Sequence, residues 1–126
     1  MMTEIECMNI VRPIAEDIVN RMAKNDYDGM ADLVANPRAD LDDLADWVRS
    51  FLEMNELNGI DVYGALCDFH PQYEYHQLRV YPYDDASGFA AEYDLTTDGE
   101  LNDLILQMDC KLQSDGAYAV SVGVDV

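Results

Sequence analysis

Apolar positions along this chain follow one period in its first half and another in its second. Between Ile5 and about Lys24 they recur every three or four residues, with Ile10, Ile14, Ile18 and Met22 in one row and Val11, Ala15 and Val19 beside it. Residues so spaced share a helix face, so an amphipathic helix is predicted. Pro13 lies inside the stretch and predicts either a start there or a kink, because proline has no N–H for the helical ladder. Asn25-Asp26 ends the pattern, and Asp26 suits the N-cap of a short second helix carrying Met30, Leu33 and Val34, closed by Asn36-Pro37. Asp40 is expected to cap a third helix, with Asp42 and Asp43 in its first turn and a stripe of Leu41, Leu44, Val48, Phe51 and Leu52. Asn55 to Gly59 closes it.

From Ile60 onward the period falls to two. Ile60 to Cys67, Tyr73 to Tyr83 and Phe89 to Leu95 read as strands, separated by Phe69-His70-Pro71 and by Asp84 to Gly88. The clearest alternation comes later, in Leu104, Leu106, Met108, Cys110 and Leu112 against Asp103, Gln107, Asp109 and Lys111. Tyr118, Val120, Val122, Val124 and Val126 repeat it after the turn signal Asp115-Gly116, and Asp98-Gly99 marks a comparable turn upstream. The expected architecture is α+β, one domain over residues 1–126, with three N-terminal helices packed on a curved antiparallel sheet of about five strands. A chain of 126 residues can bury a core without disulfides or metals.

This order of elements resembles the cystatin-like folds, particularly the nuclear-transport-factor-2-like cone, whose N-terminal helices pack into a curved sheet. The segment Asn25-Asp26-Tyr27-Asp28-Gly29-Met30-Ala31-Asp32-Leu33 is similar to that group's short acidic second helix. The run Tyr93-Asp94-Leu95-Thr96-Thr97-Asp98-Gly99-Glu100-Leu101-Asn102-Asp103-Leu104 resembles one in a small uncharacterised bacterial family, where a strand, a glycine turn and an Asp-Leu pair recur. Members of that kind resemble immunity proteins of toxin systems, including contact-dependent growth inhibition. Neither resemblance supplies functional residues.

Charge narrows the partner. Twenty-six acidic side chains against seven basic ones give a formal charge of -19. Nucleic acid and anionic membranes are unfavourable partners, because both are bound through lysine and arginine. A cationic protein is favoured, since such a surface steers opposite charge toward itself. A halophilic host is a competing source of the charge, because only Lys24 and Lys111 are lysines. Three widely spaced cysteines fit a reducing compartment, the first residues do not form a signal peptide, and no apolar run approaches the roughly 18 residues of a membrane span. A cytoplasmic protein is expected.

Candidate chemistry is sparse. His70 and His76 are the only histidines, and with Asp68 they could line a divalent metal site. No Cys-x-x-Cys or His-Glu-x-x-His spacing supports it, so a turn residue and a strand residue are the favoured readings and no cofactor is expected. A cone fold can hold an enzyme pocket, for which Tyr63, His76, Tyr93 and Asp94 would be candidates; enzymatic activity is not the favoured expectation. The outward sheet face should gather Gln77, Arg79, Tyr81, Glu92, Asp94, Ile105, Gln107, Ala119 and Ser121. The expected partner-binding set is Tyr75, Arg79, Tyr81, Tyr83, Asp84, Asp85, Glu92, Asp94 and Gln107. The leading functional expectation is an acidic immunity-type protein that neutralises a basic toxin, a nuclease, by blocking its active site. The alternatives are a small-molecule-binding or enzymatic cone domain of isomerase or dehydratase type, a homodimer across the same face, and a mimic of DNA phosphates.

Overall fold

Thr3 and Glu6 open the first helix by exchanging bonds. The Glu6 N–H donates to Thr3 Oγ1 at 3.1 Å, and the Thr3 N–H donates to Glu6 Oε1 at 3.4 Å, a capping box that satisfies two otherwise unpaired donors. In the computed structural model, which describes residues 2–65 and 76–126, helix α1 spans Glu4–Ala23 and runs through Pro13 unbroken. Pro13 and Asn9, whose carbonyl the missing N–H would have met, both lie on the exposed side. The buried row Cys7, Val11, Ala15, Ile18, Val19 and Met22 meanwhile anchors the helix on both sides of the proline.

Helix α2 (Tyr27–Met30) is a single turn capped as expected, with Asp26 Oδ1 accepting from the Gly29 N–H at 2.9 Å and Asp26 Oδ2 paired with Arg21 at 2.8 Å. Leu33 and Val34 lie beyond its end, half-buried against the core. Helix α3 (Arg38–Met54) starts two residues before the expected cap. Pro37 occupies the N-cap without a side-chain bond, and Asp40 falls in the first turn instead.

Among the described residues the sheet has four strands, not about five, joined as an antiparallel meander in the order β1 (Leu78–Pro82), β2 (Gly88–Thr97), β3 (Glu100–Leu112) and β4 (Tyr118–Asp125). The expected strand from Ile60 to Cys67 is the correction. Residues 60–65 form no strand, and their backbone joins the sheet at the Asp61 N–H, which donates to the Thr96 carbonyl at 2.9 Å. Leu66 and Cys67 lie outside the described residues, as do Phe69, His70, Pro71 and the stretch from Tyr73 to Tyr75.

Asp98 and Gly99 join β2 to β3 with φ of 54° and 79°, the doubly left-handed pair of a two-residue hairpin turn. Further along, β3 bulges: Asp94 pairs with Ile105 but Thr96 with Leu101, so β3 carries two extra residues there. Asp103 turns to φ 71° within the bulge, and Asn102 bonds the Leu104 N–H at 3.0 Å and Thr97 Oγ1 at 3.1 Å. Because two is an even number, the bulge leaves Asn102, Leu104, Leu106, Met108 and Cys110 all facing inward.

The inward side of β2, Phe89, Ala91, Tyr93 and Leu95, is 0–1% exposed and meets α1, with Met30, Leu41 and Val48 completing the same core. Leu112, expected inside, is 45% exposed because β3 outruns the helical layer. Among the described residues, no helix is long and apolar enough to cross a membrane.

Candidate protein-binding site on the open sheet face

The helices cover one side of the sheet, and the alternate residues of every strand therefore face away from them. Strand register arranges those residues in two rows. Arg79, Glu92, Gln107 and Gly123 are successive cross-strand partners, and beside them run Tyr81, Ala90, Asp109 and Ser121. Large and small side chains alternate, leaving an open trough of about 550 Å³ over Ala90, Ser121 and Gly123, bordered by Tyr81, Glu92, Gln107 and Asp109. A smaller notch of about 360 Å³ lies at the bulge, where Leu101 and Val126 are 53% and 62% exposed.

Of the expected binding residues, Arg79, Tyr81, Glu92, Asp94 and Gln107 are brought together on this face. Tyr83 lies at its edge, where its hydroxyl donates to Asp109 Oδ1 at 2.6 Å. Burial, and then this bond, push the Tyr83 hydroxyl up to about 12. Asp84 and Asp85 sit in the β1–β2 turn rather than over the trough, and Asp85 accepts from both the Ser87 hydroxyl and the Ser87 N–H, which hold its carboxyl below the usual range. Tyr75 lies outside the described residues. Gln77, expected on the open face, is 2% exposed, and its Nε2 donates to the Asp94 carbonyl at 2.9 Å. Asp109, Ala90 and Gly123 were missing from the expected set; the outward positions of the alternating strands were the available signal.

Arg79 is spoken for. Its two terminal nitrogens donate to both oxygens of Asp94 at 2.9 and 2.8 Å, Glu92 stands 3.9 Å away, and the His76 carbonyl accepts at 2.9 Å. The Asp94 carboxylate raises the guanidinium further above its ordinary value. Arg79 is thus a brace between strands, and the face presents net negative charge around a trough. Lys111, 3.7 Å from Asp109, is a second cation among the described residues of the face.

Of the residues that could serve a cone-type pocket, Tyr63 and Tyr93 come together, whereas Asp94 and His76 do not join them. Tyr93 points inward, its hydroxyl accepts from the Gly64 N–H at 2.8 Å, and its ring stacks on Tyr63 at 5.1 Å. Asp94, next along the strand, points outward to Arg79, and His76 is exposed before β1. Asp68 and His70, the other members of the metal triad, lie outside the described residues, among which no metal-binding cluster of three or more occurs.

Cys7 and Cys110 are buried and unpaired in a disulfide. Burial, the largest cause, raises both thiols, Cys110 to about 12. Iodoacetamide at about pH 8 should therefore leave both unmodified in the native protein and label both in denaturant, read by peptide mass spectrometry. A raised thiol stabilises the fold fully below its ordinary value of 9.0 and loses that contribution as pH rises toward 12. Tyr83 acts in the same sense between 10.0 and about 12, so the melting temperature should fall progressively above about pH 9.

Fold and face together define a small α+β domain with a helix-backed antiparallel meander, whose open sheet face carries a trough bordered by Glu92 and Asp109. The chain belongs to the family described as a domain of unknown function, DUF7668, whose model matches residues 19–126. The match takes in the end of α1 and the whole sheet, and with it every residue of the trough. No curated protein and no solved structure matches the chain.

Proposed function

We propose that this domain is an acidic immunity-type protein, which binds a lysine- and arginine-rich toxin of nuclease type through its open sheet face and occludes the toxin's substrate groove. The observation that carries the reading is an uncovered sheet face whose trough is bordered by Tyr81, Glu92 and Asp109, on a chain of formal charge -19. A nuclease surface built to hold phosphates presents cations that such carboxylates can occupy. Tyr81, 47% exposed, supplies an amphipathic anchor of the kind that dominates contact energies. No reaction and no cofactor is required for this role.

The test is binding to the protein encoded beside this one, measured by calorimetry across a salt series with a hydrogen-exchange footprint. Expected results are a basic partner, protection over Tyr81, Ala90, Glu92, Gln107 and Ser121, and relief of the partner's growth inhibition. Glu92→Lys should weaken the complex about tenfold, and added salt should weaken it further, because rim charges and steering are screened. An absent interaction, or one indifferent both to salt and to Glu92→Lys, overturns the proposal.

A further inference from the structure

Gly123 is a residue the fold does not need. It lies inside β4, opposite Gln107, and is not among the glycines with positive φ. A Cβ built on it meets nothing within 4 Å. Gly88 is the contrast: it has φ of 148°, and a Cβ there would strike the Cys110 carbonyl. Glycine inside a strand weakens it, and where neither φ nor packing demands the residue, close approach by another backbone is a physical use for it.

What approaches is constrained by the walls. The trough floor is Ala90, Ser121 and Gly123, and Tyr81 forms one side. Glu92 touches Arg79 only at 3.9 Å, and Asp109 accepts from Tyr83 through Oδ1 while Oδ2 stands 3.7 Å from Lys111. Both carboxylates keep acceptor capacity, unlike Asp94, whose two oxygens already grip a guanidinium. An aromatic face beside two carboxylates suits a planar guanidinium, which stacks and forms forked bonds, better than an ammonium.

We infer that the trough is an arginine socket: one arginine of the partner lies over Ala90 beside Tyr81, its guanidinium between Glu92 and Asp109, while the partner's backbone descends onto Gly123. The inference rests on the protein-binding role proposed above and names the side chain that role uses.

The test titrates the isotope-labelled full chain with argininamide and, separately, lysinamide, following backbone amides by NMR. Argininamide should shift Ala90, Glu92, Gln107 and Gly123 saturably, and lysinamide several-fold more weakly. Gly123→Val puts a branched side chain into the trough, with its Cβ in open space. It should abolish the argininamide shifts and raise the melting temperature by roughly 2–4 °C, because valine suits a strand better than glycine. Unchanged argininamide binding in Gly123→Val overturns the socket, as do shifts spread evenly to the α3 carboxylates or a lowered melting temperature. The two proposals fail separately. A neighbouring-gene protein that footprints on this face and binds wild type and Gly123→Val equally sinks the socket alone, whereas a footprint elsewhere sinks both.

Discussion

Tyr93→Ala should lower the unfolding free energy by about 3–5 kcal/mol, the usual cost of removing a buried aromatic ring. Tyr93 is 1% exposed, among the largest fully buried side chains. Its ring stacks on Tyr63 with centroids 5.1 Å apart, and its hydroxyl accepts from the Gly64 N–H at 2.8 Å. The Tyr63 N–H in turn donates to Asn20 on α1 at 2.9 Å, so the strandless segment 60–65 is pinned between helix and sheet by these contacts. Tyr93→Phe separates the two contributions. It keeps the ring and strands the Gly64 donor, which should cost about 1–3 kcal/mol. Denaturant titration reads both values, with an unchanged slope showing that only stability moved. Because Tyr93 faces the core and its neighbours Glu92 and Asp94 face outward, folded Tyr93→Phe should bind argininamide and the partner as wild type does. A Tyr93→Phe protein as stable as wild type would show that the Gly64 bond does not hold the segment.

What the sequence shows well is whatever depends on neighbours in the chain. The stripes of α1 and α3 are local periodicities, as is the alternation of β3 and β4, and the helices and strands they predict form, although Leu112 and Val126, expected on the core face, are 45% and 62% exposed at the strand ends. Even the bulge at Asn102-Asp103 does not disturb the inward set, since its two extra residues preserve parity. The capping box is equally local, written in the Thr3 to Glu6 spacing. The segment from Ile60 misleads because over residues 60–65 it imitates alternation without forming a strand: Ile60 is 8% exposed but Val62, two residues on, is 59% exposed. Its position is set by Asn20, Tyr93 and Thr96, none of them near in sequence. The open face was legible as alternate positions of the strands. The grip of Arg79 on Asp94 was not, because register sets Arg79 opposite Glu92 and makes Asp94 only a diagonal neighbour. The trough required register as well, since Ala90 and Gly123 come together only when three strands are aligned.

Asp61→Ala is expected to cost about 2–4 kcal/mol, although Asp61 is neither in the core nor in a regular element. Its carboxylate accepts from Thr96 Oγ1 at 2.8 Å, the Asp98 N–H at 3.0 Å and the Gly99 N–H at 2.8 Å. Those donors belong to the β2–β3 hairpin, where Asp98 takes the left-handed conformation that is uncommon for residues other than glycine, asparagine and aspartate. Bonds to a charged acceptor contribute roughly 1.5–3 kcal/mol each, and three sharing one carboxylate do not sum, which sets the expected range. Asp61→Asn should lose about half as much, because one oxygen still accepts while its new amide faces donors it cannot satisfy. Hydrogen exchange locates the damage. The Asp98 and Gly99 amides should lose protection in Asp61→Ala while Ala90 and Gln107, nearer the other end of the hairpin, keep theirs. Equal loss at both ends would instead mean that the turn sets the register of the entire β2–β3 pair, and a one-residue slip there would flip one strand relative to the other, turning either Glu92 or Gln107 toward the core. A change in stability below about 0.5 kcal/mol would refute the clamp, because three donors cannot lose a charged acceptor at so small a cost unless water already serves them.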